Sequence, residues 1–156
     1  MQYHPIEPIY DDESTILILG SFPAVKSREA QFFYHHPQNR FWKILGAVFH
    51  DEVPQTIEQK KSFLHKHHIA LWDVIASCEI QGSSDASIRQ VTVNDLHRIL
   101  ESAQIEHIYT NGKLSHQYYQ KYFHFEIPCD CLPSSSPANA SYSLEKLIDQ
   151  WKIINH

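Results

Sequence analysis

An α/β fold is predicted, a three-layer α/β/α sandwich around a mostly parallel four-stranded central sheet. Two observations predict it. Short apolar runs alternate with segments of helical period, the order that gives a parallel sheet covered on both faces. The polar, ligand-like clusters also fall directly after four such runs, and open α/β sheets hold ligands outside the carboxyl ends of their strands.

The elements follow in order. Ile16-Leu-Ile-Leu19 is a continuous apolar run, as a strand buried on both faces requires. It ends at Gly20-Ser21-Phe22-Pro23, a strand-to-loop turn. The aromatic row Phe32-Phe33-Tyr34 cannot point wholly inward, so at least one ring is expected in the crevice. Phe41, Leu45 and Val48 share a helix face, with Asn39 placed to cap it. Thr56-Ile-Glu-Gln59 has the form of a capping box and opens a helix containing Ile57 and Leu64. Ile69 to Val74 reads as the second strand. Thr92 then caps a helix whose apolar set is Val93, Leu96, Leu100 and Ala103. Ile105 to Thr110 is the third strand, and Asn111-Gly112 opens a helix through Tyr122. Phe125 to Cys131 is the fourth, placed at an edge by Pro128, which has no N–H to give a ladder. Leu144, Leu147, Ile148 and Trp151 form the apolar face of the last helix, with Ser143 near its start.

The 156 residues suit one domain, 1–156, and at 42% hydrophobic they can fill one core. No apolar run approaches the roughly 20 residues of a membrane span. Met1-Gln2-Tyr3-His4-Pro5 lacks the pattern of a signal peptide, so a cytoplasmic, reducing location is expected, as is a monomer. Three cysteines, Cys78, Cys129 and Cys131, cannot close a disulfide framework and are expected as buried thiols. Neither they nor His65-Lys-His67-His68 has a metal-site pattern, so no metal and no iron–sulfur cluster is expected. The phosphate loops GxGxxG and GxxxxGK are absent, which leaves a nucleotide cofactor unsupported; no cofactor is expected. GxSxG is absent too, which disfavours a serine-nucleophile hydrolase. The formal charge of −5 argues against a broad nucleic-acid surface. Yet Lys26, Arg28, Arg40 and Lys43 face only Glu29 between Phe22 and Lys43, and Leu132 to Leu144 is uncharged. A small basic site on an acidic body fits that distribution.

Four segments in order, "LILGSFP", "HPQNRFWKIL", "LWDVIASCEIQGSSDASI" and "LPSSSPANA", resemble the uracil-DNA glycosylase superfamily, and within it the hypoxanthine-DNA (deoxyinosine) glycosylases most closely. The resemblance implies base excision: a damaged base in double-stranded DNA is flipped out and its N-glycosidic bond hydrolysed, leaving an abasic site. Hypoxanthine is the implied base, with uracil as a further substrate. A flipped base needs a ring to stack on, polar groups for its Watson–Crick edge and clamps on the flanking phosphates.

Carried onto this chain, the resemblance puts Gly20, Ser21 and Phe22 at the pocket floor. Phe22 stands where many members have a water-activating Asp or Asn, and the catalytic amide role passes to Asn39. An amide is a poor base, but it can orient water and stabilise developing charge. Tyr34 takes the place of the stacking ring. Asp73 ends a strand where some relatives read the base edge, although a turn cap is an equal reading of it. Asn111 ends a strand beside the crevice, and Ser134 stands where other families contact a base carbonyl. Ser135, Ser136, Pro137, Ala138 and Asn139 match the loop that pinches the DNA backbone, with Lys26, Ser27 and Arg28 on the phosphate side. No lysine in these motifs suits a Schiff base, which implies a monofunctional hydrolase without strand-cleaving chemistry. Mismatch-specific uracil/thymine glycosylases share "HPQNRFW" and remain an alternative. So do a non-catalytic binder of damaged bases and a small-molecule N-glycoside hydrolase.

Overall fold

A computed structural model describes residues 1–155. The chain opens with a two-residue strand, β1 (Gln2–Tyr3), and reaches the central sheet at β2 (Ile16–Gly20). Helices α1 (Val25–Ala30), α2 (Phe41–Val48) and α3 (Ile57–Lys66) precede β3 (Ile69–Asp73) and β4 (Ile75–Glu79). Then come β5 (Arg89–Val93), the short α4 (His97–Leu100), β6 (His107–Asn111), α5 (Lys113–Tyr122), β7 (Cys129–Leu132) and α6 (Leu144–Trp151).

The central sheet has the order β3-β2-β6-β7 and is parallel throughout. Every residue of β2 and β3 is buried, so both faces of these strands are covered, as the apolar runs predict. The register pairs Gly20 with Asp73, Leu19 with Thr110 and Asn111 with Leu132, which sets the polar strand ends at one level. Thr56 and Gln59 form the expected reciprocal capping box at α3, and the Ser143 side chain caps α6. α6 also supports a loop at the strand ends: Trp151 packs edge-on to Phe41 and its indole N–H donates to Pro133 O at 2.9 Å.

Three expectations are corrected. Thr92 and Val93 belong to a strand, not a helix start. β4 and β5 pair antiparallel, Thr92 sits opposite Ser77 with their hydroxyls bonded, and β1 adds on the other side of β4. The β-branched run Val91-Thr92-Val93 favours this pairing, and the helix shrinks to His97–Leu100, keeping Leu96 and Ile99 in the core. The fourth strand is also shorter, beginning at Cys129. Pro128 donates nothing to the ladder but still accepts from Ile108 N, and β7 does lie at the sheet edge. That edge leaves Cys131 exposed and Cys129 half-buried; only Cys78 is a buried thiol.

Two helical turns lie where the sequence suggests loop: α1, after Pro23, and a 3₁₀ turn at Asp85–Ser87. No helix among the described residues is long and apolar enough to cross a membrane.

Candidate active site

All four parallel strands end at one cavity of about 510 Å³. Gly20 ends β2 and Ser21 to Ala24 follow it, Asp73 ends β3, Asn111 to Ser115 end β6 and begin α5, and Ser134 to Ala138 follow β7. Ile80 and Ser83 to Asp85, from the β4–β5 loop, complete the wall. That loop is tied to α1 by Ser83 Oγ, which accepts from Val25 N at 2.9 Å, and by Arg28, which donates to Gly82 O.

Gly20 is required by close approach. A methyl there would lie 2.4 Å from Asp73 Oδ1 and 2.9 Å from Tyr34 Oη. The floor is held by backbone bonds from Val74 N to Gly20 O (2.8 Å) and Ile75 N to Ser21 O (3.0 Å). Phe22 lines the cavity and also joins a small apolar cluster with Ile75, Cys78 and Ile88. It therefore supplies packing and no polar atom for water.

Phe32 and Phe33 are core, whereas Tyr34 is half-buried on the cavity wall and stacks on Phe41 with centroids 3.9 Å apart. Its backbone is left-handed (φ 51°), a conformation uncommon for a bulky residue and one that turns its side chain out of the preceding row. The phenol oxygen is buried with no partner at hydrogen-bond geometry. Burial first, then the Asp73 charge, hold its pKa well above the usual tyrosine range, against an opposing pull from the Asn111 amide.

Asn39 sits in a connected polar group. Its Oδ1 accepts from Phe41 N (3.0 Å) and from Ser135 Oγ (2.9 Å). Asn111 Nδ2 donates to the same Ser135 hydroxyl (3.0 Å), and Asn111 Oδ1 accepts from Ser135 N (3.0 Å). A backbone N–H can only donate, so the Phe41 bond fixes which end of the Asn39 amide is oxygen. The amide's Nδ2 is left as the end that can act on a ligand.

The loop after β7 is held by Arg40. Its guanidinium donates to the carbonyls of Ser136 (2.7 Å), Asn139 (3.1 Å), Ser135 and Tyr142. Within the loop, Ser136 N bonds Ser134 Oγ and Ala138 N bonds Ser136 Oγ, both at 3.1 Å. Among the described residues, no group of three or more His, Cys, Asp or Glu could hold a metal ion.

A profile of the uracil DNA glycosylase superfamily matches residues 7–155. The chain belongs to that superfamily. It is 30% identical over 150 residues to a hypoxanthine DNA glycosylase of Methanosarcina acetivorans, with 95% of each chain covered. A second hypoxanthine DNA glycosylase, from Methanosarcina barkeri, is 30% identical over 120 residues, covering 76% of each. The fold resembles the solution NMR structure of a Methanosarcina acetivorans protein provisionally described as a uracil DNA glycosylase. The TM-score is 0.82 at 28% identity, with 97% of each chain covered.

In this superfamily member, the cavity brings together Gly20, Ser21, Phe22, Tyr34, Asn39, Asp73, Asn111 and Ser134, with Ser27, Ser135, Ser136, Pro137 and Ala138. Lys26 and Asn139 lie outside the lining. Lys26 is 58% exposed beside Glu29 (4.0 Å), and Asn139 bonds Ser134 O from behind the loop (3.0 Å). Two of the expected phosphate contacts turn inward. Ser27 is buried and accepts from His35 N, and Ser135 is 1% exposed between the two amides. Sequence reasoning missed His4, whose ring pairs with Asp73, and it counted Arg40 only as charge. It also missed Lys113, exposed at the cavity rim. The position of Lys113, one residue past Asn111-Gly112, was the available signal for it; His4 offered none.

Proposed function

We propose that this DNA glycosylase excises hypoxanthine, and uracil with it, from double-stranded DNA by hydrolysing the N-glycosidic bond, with Asn39 as the catalytic amide. The observation that carries the reading is the double occupation of Asn39 Oδ1 by Phe41 N and Ser135 Oγ in a wall that contains no competing catalytic carboxylate at position 22. With Oδ1 committed, the amide acts through Nδ2 as a donor. It donates to the base as that departs with the bonding electrons and does not accept a proton; the water that adds to C1′ passes its proton to the departing base. Cleavage therefore relies on charge stabilisation in a preorganised site more than on a general base.

Tyr34, backed by Phe41, gives the extruded base a flat surface. Asp73 Oδ1 and Ser134 Oγ meet its polar edge. The hydroxyls of Ser134 and Ser136, whose oxygens already accept loop N–H groups, keep their own protons to donate to DNA oxygens. Lys113 adds positive charge at the rim. The reaction is monofunctional, with water as the nucleophile.

A duplex bearing one deoxyinosine, incubated with the protein and then treated with alkali, breaks at that site. Asn39→Ala lowers the single-turnover rate by roughly 10²–10³, the usual cost of a lost transition-state donor. Unchanged activity in the folded variant removes Asn39 from the mechanism. Cleavage of a uracil duplex with the inosine strand intact points to a mismatch uracil glycosylase. A borohydride-trapped protein–DNA adduct overturns the monofunctional assignment.

A further inference from the structure

His4, near the start of the chain, lies behind the cavity wall against Asp73. β1 pairs with β4 and His4 N donates to Ala76 O (2.8 Å), which fixes the backbone leading into the ring. The imidazole is 3% exposed, with the rings of Phe22, Phe33 and Trp72 centred 6.0, 6.2 and 6.4 Å away. Its protonation pattern follows from its neighbours. Ile6 N donates to Nδ1 at 3.2 Å, so Nδ1 carries a lone pair and the proton resides on Nε2. Nε2–H then donates to Asp73 Oδ2 at 2.7 Å.

This bond assigns the two carboxylate oxygens different duties. Oδ2 is taken by His4, while Oδ1 faces Gly20 with no donor among the described residues. Asn94 Nδ2 secures the main chain beneath, donating to Asp73 O (2.9 Å) and Ile75 O (3.2 Å). A carboxylate only 5% exposed is costly with one oxygen unpaired, and a ligand N–H relieves that cost.

We propose that His4 is a specificity-determining positioning residue that makes Asp73 Oδ1 an obligate acceptor, so that the pocket takes bases presenting a ring N–H beside a carbonyl. The inference rests on the glycosylase reading above. Deamination turns adenine N1, a lone-pair acceptor, into the N1–H of hypoxanthine, and cytosine N3 into the N3–H of uracil. One fixed acceptor therefore reads both products and sets two lone pairs against each other for both parent bases. The His4 N–H holds the carboxylate in place through Oδ2, which leaves Oδ1 toward Gly20.

Duplexes carrying hypoxanthine, or purine as deoxynebularine, which lacks any ring N–H, distinguish this from a structural role. Under single-turnover conditions His4→Phe lowers excision of hypoxanthine by about 10–100-fold, the effect of losing a charge-assisted hydrogen bond. It leaves the slower excision of purine unchanged. His4→Gln, which retains an N–H donor, recovers part of the hypoxanthine rate. If His4→Phe does not fold, the His4→Gln ratio of hypoxanthine to purine rates, lowered relative to wild type, supports the same assignment, and an unaltered ratio overturns it. Equal losses on both substrates in folded His4→Phe also overturn it, leaving the glycosylase reading intact. A wild-type protein that cuts neither hypoxanthine nor uracil duplexes overturns that reading and this inference together.

Discussion

Replacing Gly20 with Ala sets a methyl group 2.4 Å from Asp73 Oδ1 and 2.9 Å from Tyr34 Oη, both below the 3.0 Å that real Cβ atoms respect. Neither neighbour yields easily. Asp73 is anchored through Oδ2 to a histidine packed among three rings, and Tyr34 lies flat on Phe41. Overpacking costs about 1–3 kcal/mol. Displacing the carboxylate from His4 adds about 1.5–3 kcal/mol for a hydrogen bond to a charged group. Alanine returns about 0.5–1 kcal/mol through a less flexible unfolded chain. The expected net loss is about 2–5 kcal/mol, or a fall in Tm of roughly 5–20 °C for a domain of this size. Urea denaturation at neutral pH and a thermal melt by circular dichroism measure it. In a His4→Phe background Asp73 can swing aside, and the cost of Gly20→Ala should shrink by about 1 kcal/mol or more. A Gly20→Ala protein within about 0.5 kcal/mol of wild type refutes the anchoring of Asp73.

Ser135→Ala removes the hydroxyl between the two amides. It should slow inosine excision by about 5–50-fold, with a stability loss near 1 kcal/mol by denaturant titration, because Asn39 keeps only its bond from Phe41 N. Arg40→Lys replaces a planar fork reaching separate carbonyls by a single ammonium, and should destabilise by about 2 kcal/mol and raise the KM for duplex more than it lowers kcat. Away from the site, Lys66 and His67, together with the backbone of Glu52, hold the Asp51 carboxyl well below the usual carboxylate range. A depressed folded-state pKa contributes stability above the unfolded value near 4, and this is lost as pH falls through the folded value. Asp51→Asn should therefore narrow the stability gap to wild type as pH drops below about 4, read by urea midpoints across pH. A gap that does not change with pH refutes the coupling.

The parallel strands were legible because burial on both faces leaves an unbroken apolar run, as in Leu17 to Leu19. The antiparallel sheet was not. Ile75-Ala-Ser-Cys-Glu79 and Arg89-Gln-Val-Thr-Val93 mix polar and apolar residues without either helical or strict strand period, and a nine-residue connection separates them. Thr92 is as good a cap as a strand residue, and only its partner Ser77 decides between them. At the site, Gly20, Asp73, Asn111 and Ser134 could be found from their place at or just past the strand ends. His4 lies 69 residues from its partner and has no spacing to betray it. Arg40 was visible as a cation, but its partners are backbone carbonyls 95 to 102 residues away, and a carbonyl carries no sequence signature.

The way Arg40 is used also bears on how the protein holds DNA. Arg40 and Arg28 turn their guanidinium groups onto their own chain's carbonyls, and Lys26 sits beside Glu29. On a body of charge −5, this leaves few cations near the cavity to displace the counterions condensed on a duplex. With Lys113 as the exposed cation lining the cavity, the affinity for undamaged duplex should fall only gently as salt rises, because few phosphates are neutralised.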